Sequence, residues 1–457
     1  MQQHPYIPNS APEVRRRMLD YLGVDSVEEL FSQIPSRLRS GPMDLPEPIV
    51  SEQHLRAHVA CLLDRNQSSS ERLSFLGGDS YRHYVPAVCD EINGRSEFLT
   101  AYSGRTYEDH GRYQALWEYA SMMGGLLEMD VVSLPTYDGY QAAATSLRMA
   151  ARYTGRRRAL IASSTSPGKL GKFDDYLRPA VDFEMLGWGP TGELDLDQLQ
   201  AALDDGVGAV YLDVPNSLGV IDTGMQAIGD MAHNAGALLV VGVDPTLLGV
   251  LEPPSRLGAD IVCGDIQALG MHVQFGGGHA GFIASADDPH MIHEYPIRLY
   301  SVTPTANHGE HGFGEVDASR TSFVAREGGK EWLGTTANLW GITAGVYLAL
   351  MGPNGMRDLG LALMGRSRYL ADLLSDIEGV RAPRFEAPFG KELAVDMTET
   401  GRSVAEIHRA LEEKGIFGGL DLSGRAGLDG CALYCTTELH SKSDLDRLAE
   451  TLQQVVS

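Results

Sequence analysis

The sequence predicts an α/β fold with a mainly parallel sheet, and three observations carry that expectation. From about Ser74 onward, short β-rich runs alternate with helix-forming segments. Most of the runs are joined by helix-length connections, as parallel neighbours require. A chain of 457 residues also exceeds the usual size of one domain, so at least two are expected.

The elements follow in order. Pro8-Asn9-Ser10 precedes a helix over 11–22, and Asp25-Ser26 opens a second containing Val27, Leu30 and Phe31, with Pro35 beyond its end. Such an arm either wraps a partner subunit or docks on a core. Helices are expected over 114–127 and 141–153, with crossover helices over 194–203 and 223–235. The β-rich runs are 159–162, 209–213, 237–243, 261–263 and 281–284. Residues 298–320 are polar, rich in Gly and His and without periodicity, and read as a long loop. Residues 336–350 form an apolar helix that Gly352-Pro353 ends, and 356–457 read as a smaller α/β domain. The expected organisation is an N-terminal helical arm over 1–73, a large domain over 74–325 and a C-terminal small domain with its leading helix over 326–457.

Composition excludes more than it assigns. The formal net charge of −24 argues against nucleic acid or an anionic membrane as partner. No uncharged apolar run reaches membrane-spanning length, and the N-terminus shows no secretory pattern. Five scattered cysteines suggest a reducing cytoplasm and no disulfide framework. Of the 37 basic residues only six are lysines (Lys169, Lys172, Lys330, Lys391, Lys414 and Lys442), so candidates for lysine chemistry are few.

Blocks along the whole chain carry a resemblance: Tyr6-Ile-Pro-Asn9, Ser74-Phe-Leu-Gly77, His83-Tyr-Val-Pro-Ala-Val88, Arg95-Ser-Glu-Phe98, Tyr137-Asp-Gly139, Pro215-Asn216, Val243-Asp-Pro245, Gly258-Ala-Asp-Ile261, Phe275-Gly-Gly277 and Tyr347-Leu-Ala-Leu350. With these the chain resembles the alpha subunit (subunit 1) of the glycine cleavage P-protein, glycine dehydrogenase (decarboxylating). The resemblance implies a type I pyridoxal-phosphate (PLP) transferase fold, similar to aspartate aminotransferase. It also implies a beta subunit carrying PLP on its own lysine, an alpha2beta2 assembly in the cytoplasm, and transfer of glycine's aminomethyl group to a lipoyl H-protein or other carrier with release of CO₂. Many PLP enzymes hold the cofactor on a lysine after a strand such as Ile261-Val-Cys263. Gln267 stands at that place, and a carboxamide cannot form an imine. The resemblance thus implies no catalytic residue and no direct cofactor ligand in this chain, which alone is expected to be inactive; no metal ligand is expected either, on the spacing of the histidines.

Departures from the family pattern concentrate in loops: Ser103 to Gly111, Ser166-Pro167, 298–320, and Glu331 to Asn338. Function is usually carried by loops on a rigid frame. Two alternatives therefore stay open, a repurposed pair acting on another amino acid or acceptor and a scaffold or regulatory pseudoenzyme. Candidate pocket or interface residues are Tyr102, Arg105, Tyr107, Glu108 and His110, with Asp244 at a strand end and Asn338 as a helix cap or interface contact. Asp244 stands where active relatives pair an aspartate with the pyridine nitrogen, or else faces a vestigial pocket. The sequence does not show whether any of the six lysines approaches the pocket by another route; Lys330, near the divergent loop, is the one to check. Gly276 to Gly281 has dinucleotide-motif spacing, but the strand-like Phe282-Ile-Ala284 follows where that motif needs a helix, so a tight turn near the pocket mouth is expected. His290, His293, His308, Glu310 and His311 are too loosely spaced for a metal site and read as solvated.

Overall fold

The computed structural model describes residues 6–41, 43–99, 110–331, 333 and 336–457. It divides into two compact units, 1–67 and 68–457. In the first unit, helices α1 (Pro12–Leu22) and α2 (Glu52–Leu63) bury none of their residues. The expected second helix after Ser26 is only a single 3₁₀ turn, Glu28–Phe31.

The second unit is built on seven strands: β1 (Val131–Val132), β2 (Arg158–Ala162), β3 (Asp182–Leu186), β4 (Val207–Val214), β5 (Leu238–Val243), β6 (Ile261–Asp265) and β7 (Gly281–Ser285). They lie in the order β1-β7-β6-β5-β4-β2-β3. All pairings are parallel except those of β7, which runs antiparallel to both neighbours. The continuous apolar text of β5, Leu-Leu-Val-Val-Gly-Val, reflects cover on both faces. On one face lie α3 (His110–Leu127) and the long helical stretch Asn338–Ser375, and on the other α4 (Gly139–Thr154). Crossover helices α5 (Pro167–Leu177), α6 (Leu196–Ala202) and α7 (Met225–Asn234) complete the layers.

Residues 298–320 are not a structureless loop, because β8 (Tyr300–Pro304) and β9 (His311–Glu315) pair as an antiparallel hairpin. β8 is largely exposed and β9 largely half-buried, with Tyr300 packed on Tyr113 and Phe313 on Trp117 of α3, and no apolar alternation marks either strand. Gly352-Pro353 does end the helix that starts at Asn338, since Gly352 (φ 58°, ψ −177°) is non-helical, and a second helical segment follows at once, so that α8 (Asn338–Ser375) is two helices end to end. Pro353, which needs no N–H partner, starts the second segment and is tolerated there as at any first helical turn.

The C-terminal part packs the second segment of α8, α9 (Val404–Glu413) and α10 (Lys442–Val456) against a small sheet of β10 (Glu392–Asp396), β11 (Leu420–Asp421) and β12 (Cys431–Cys435). Capping boxes at Ser403 with Glu406 and at Ser441 with Asp444 fix where α9 and α10 begin. Among the described residues no helix is long and apolar enough to cross a membrane.

Candidate functional site

A cavity of about 330 Å³ opens at the C-terminal ends of β4, β5 and β6, where the chain leaves the sheet through Pro215-Asn216, Asp244-Pro245 and Asp265 to Ala268. Ligand sites of open α/β sheets lie in this position. The N-terminus of α4 forms another wall, and Gly78 to Tyr81, Lys391 and Glu392 close the cavity from the C-terminal part and from the segment preceding α3.

Gln267 is 2 % exposed, and its carboxamide is fully engaged. Its Oε1 accepts from the Tyr81 N–H at 3.0 Å, and its Nε2 donates to the carbonyls of Tyr81 at 2.9 Å and Met271 at 3.1 Å. The amide thus pairs with Tyr81 as a neighbouring strand would, and holds residue 81 against the cavity.

Two largely buried lysine–aspartate pairs line the cavity. Lys391 Nζ lies 2.6 Å from Asp244 Oδ2, 3.0 Å from His83 Nε2 and 3.5 Å from Thr246 Oγ1, and stands 3.5 Å from the centre of the Tyr81 ring. With Nε2 of His83 accepting from the ammonium, the proton on Nδ1 serves Glu438 Oε2 at 2.7 Å. Burial and the adjacent Lys391 both hold the His83 pKa down, which suits that neutral tautomer. Burial alone would raise the Asp244 pKa, but the Lys391 ammonium outweighs it and keeps the carboxyl below its usual range. Backbone pairing fixes Lys391 in turn, because Gly390 N–H donates to the Gly219 carbonyl and Thr436 N–H to that of Lys391.

The second pair is Lys169 with Asp213 at 2.6 Å, the same carboxylate oxygen accepting from Tyr211 at 2.7 Å. Burial works against the Lys169 charge, yet Asp213 and its neighbours hold the pKa above normal. Gly242 of β5 makes room for this cluster, since a Cβ there would stand 2.0 Å from Asp213 Oδ1.

Carboxylates fill the remaining wall. Asp265 Oδ2 accepts from the Gly139 N–H at the start of α4 at 2.8 Å and lies 3.2 Å from His279 Nδ1. Asp138 caps the same helix through the Gln141 N–H. Glu392 accepts from Gly78 N–H and Tyr81 OH, and burial pushes its pKa up to about 7.

Of the residues singled out from sequence, Gln267 and Asp244 line the cavity. Tyr102, Arg105, Tyr107 and Glu108 lie outside the described residues, and of His110 only the backbone, opening α3, is described. Asn338 is the first residue of α8 and not its cap, which is Ala337. It is buried, its Oδ1 accepts from Thr336, and it does not line the cavity. Lys330 is not the lysine at the pocket, for its Nζ sits 3.7 Å from Glu294 Oε1 away from the cavity. Lys169 and Lys391 line it instead, brought in from α5 and from the start of β10 by folding that local sequence does not encode. Gly276 and His279 do lie at the cavity, and Phe282 to Ala284 are strand. Among the described residues no group of three or more His, Cys, Asp or Glu is placed to hold a metal ion.

Residues 4–450 match the family model described as glycine cleavage system P-protein. The chain belongs to that family. It is 34 % identical over its whole length to a probable glycine dehydrogenase (decarboxylating) subunit 1 of Staphylothermus marinus, 99 % of which is covered. A protein of the same description from Thermococcus onnurineus is 35 % identical, with 98 % of this chain and 99 % of that one aligned. A crystal structure of glycine decarboxylase (P-protein) of the glycine cleavage system, in inhibitor-bound form, superposes with a TM-score of 0.85 at 33 % identity over 100 % of both chains. A sphingosine-1-phosphate lyase of Burkholderia pseudomallei shares the fold, with a TM-score of 0.64 at 17 % identity over 92 % of this chain and 94 % of the lyase. Type I PLP-enzyme architecture, inferred above from the resemblance, is thereby established for this P-protein family member.

The cofactor that this fold implies does not fit the cavity of this chain. Gln267, read from the sequence as standing at the imine-lysine place, offers only a carboxamide, which forms no imine and is already committed to Tyr81 and Met271.

Proposed function

We propose that this chain is the alpha subunit of a heteromeric glycine decarboxylase and supplies structure to a site whose PLP is held by a lysine-bearing beta subunit. The observation that carries the reading is the commitment of Gln267: within an otherwise intact type I frame, the residue at the cofactor-lysine position serves as an internal clamp on residue 81. Family membership and the full-length match to a glycine decarboxylase structure support glycine as substrate and release of CO₂. The likeness to proteins described as subunit 1 supports a second subunit, and we take the assembly to be alpha2beta2 with a lipoyl H-protein as acceptor. The role left to this chain is to complete and enclose a water-excluded site at the subunit interface. A cytoplasmic setting accords with the unpaired cysteines, Cys61, Cys89, Cys263, Cys431 and Cys435.

Co-expression with the nearest lysine-bearing homologue tests the reading. The expected outcome is a stable complex with imine absorbance that exchanges labelled CO₂ into glycine when H-protein is present. The departures in the loops favour one second reading, a pair that acts on another amino acid or acceptor. A coloured complex silent on glycine would select it.

A further inference from the structure

We propose that the cavity is filled by its own counter-ions, so that this chain excludes PLP even when the missing lysine is restored. PLP offers a protein two charged ends, a pyridinium nitrogen and a phosphate, and each needs a complementary site. In this cavity both complementary positions are taken. The strand-end carboxylate that would pair with a pyridinium, Asp244, is already paired with the Lys391 ammonium at 2.6 Å. The anion position at the N-terminus of α4 is occupied by the Asp265 carboxylate, which takes the Gly139 N–H at 2.8 Å.

The cation is held as tightly as a ligand would be. Lys391 is 2 % exposed and is enclosed by Asp244, Thr246, His83 and the Tyr81 ring, with Glu438 behind His83. Tyr81 covers Lys391 because Gln267 holds its backbone. The replaced lysine and the internal cation are therefore one device, in which Gln267 fixes Tyr81, Tyr81 covers Lys391, and Lys391 neutralises Asp244. Lys391 cannot stand in as the imine lysine either. The pyridine nitrogen and the aldehyde carbon lie at opposite ends of the ring, and this amine is already at the aspartate that the nitrogen would need.

The inference rests on the reading above only in leaving the working cofactor to the partner, and its test uses this chain alone. Wild type, Q267K and Q267K/K391Q/D265A are titrated with PLP and followed by imine absorbance, with circular dichroism to establish folding. The expected result is an imine band in the triple variant only. The wild-type chain gives a second reading that depends on no substitution: PLP with borohydride, followed by peptide mapping, labels the exposed Lys442 and leaves Lys391 unlabelled. An imine in Q267K, a folded triple variant that stays colourless, or a phosphopyridoxyl group on Lys391 of the wild type overturns the proposal.

Discussion

Lys391 shows how one side chain sets the character of a cavity. Breaking a buried ion pair by removing one partner leaves the other charge unpaired, which costs about 3–5 kcal/mol. Lys391→Met should therefore lower the unfolding free energy by roughly that amount in urea, and Lys391→Met combined with Asp244→Asn should recover much of it. Glu392 provides a pH-dependent counterpart. Its folded pKa, about 7, lies above the ordinary 4.5, so the native state binds more protons than the unfolded chain between those values. The contribution of Glu392 is thus favourable below about pH 4.5 and is lost as pH rises through 7. Glu392→Gln should stabilise the protein relative to wild type increasingly over that window, by up to about 3 kcal/mol at its top. A difference independent of pH in parallel denaturation curves would refute this. Sequence made Gln267 and Asp244 legible because each follows a recognisable strand. It could not reveal Lys391 or Lys169, whose importance depends on folding that brings β10 and α5 to the ends of β4 and β5.

The elements were readable in proportion to their burial. Strand β5 and helices α4 and α7 declare themselves by apolar text, since the core demands it. The edge strand β3 is mostly exposed and leaves no such signal, and the β8–β9 hairpin, exposed or half-buried throughout, leaves none either. The break in α8 reads in sequence as an end, because Gly-Pro signals a stop and says nothing of whether a helix resumes. Gly352→Ala should cost about 1–3 kcal/mol, because a φ of 58° with ψ near 180° belongs to a region open essentially to glycine. Equilibrium unfolding of that variant, with circular dichroism to check retained helix, measures it.

Across the whole molecule, the features left unsatisfied by the chain itself mark where a partner is expected. The first unit, 1–67, exposes Tyr21, Leu38, Met43, Val50 and Leu63, a run of apolar side chains costly to leave in water. If the arm engages a second subunit, limited proteolysis should cut within 1–67 in the isolated chain and much more slowly after co-expression. Equal cleavage in both would place the interface elsewhere. The decisive experiment is a single one on that co-expressed complex: incubation with glycine, H-protein and labelled bicarbonate, then borohydride reduction and mapping of the phosphopyridoxyl group on both chains. The expected result is label entering glycine, with all of the cofactor on the partner's lysine and none on this chain. Cofactor attached to this chain would contradict it.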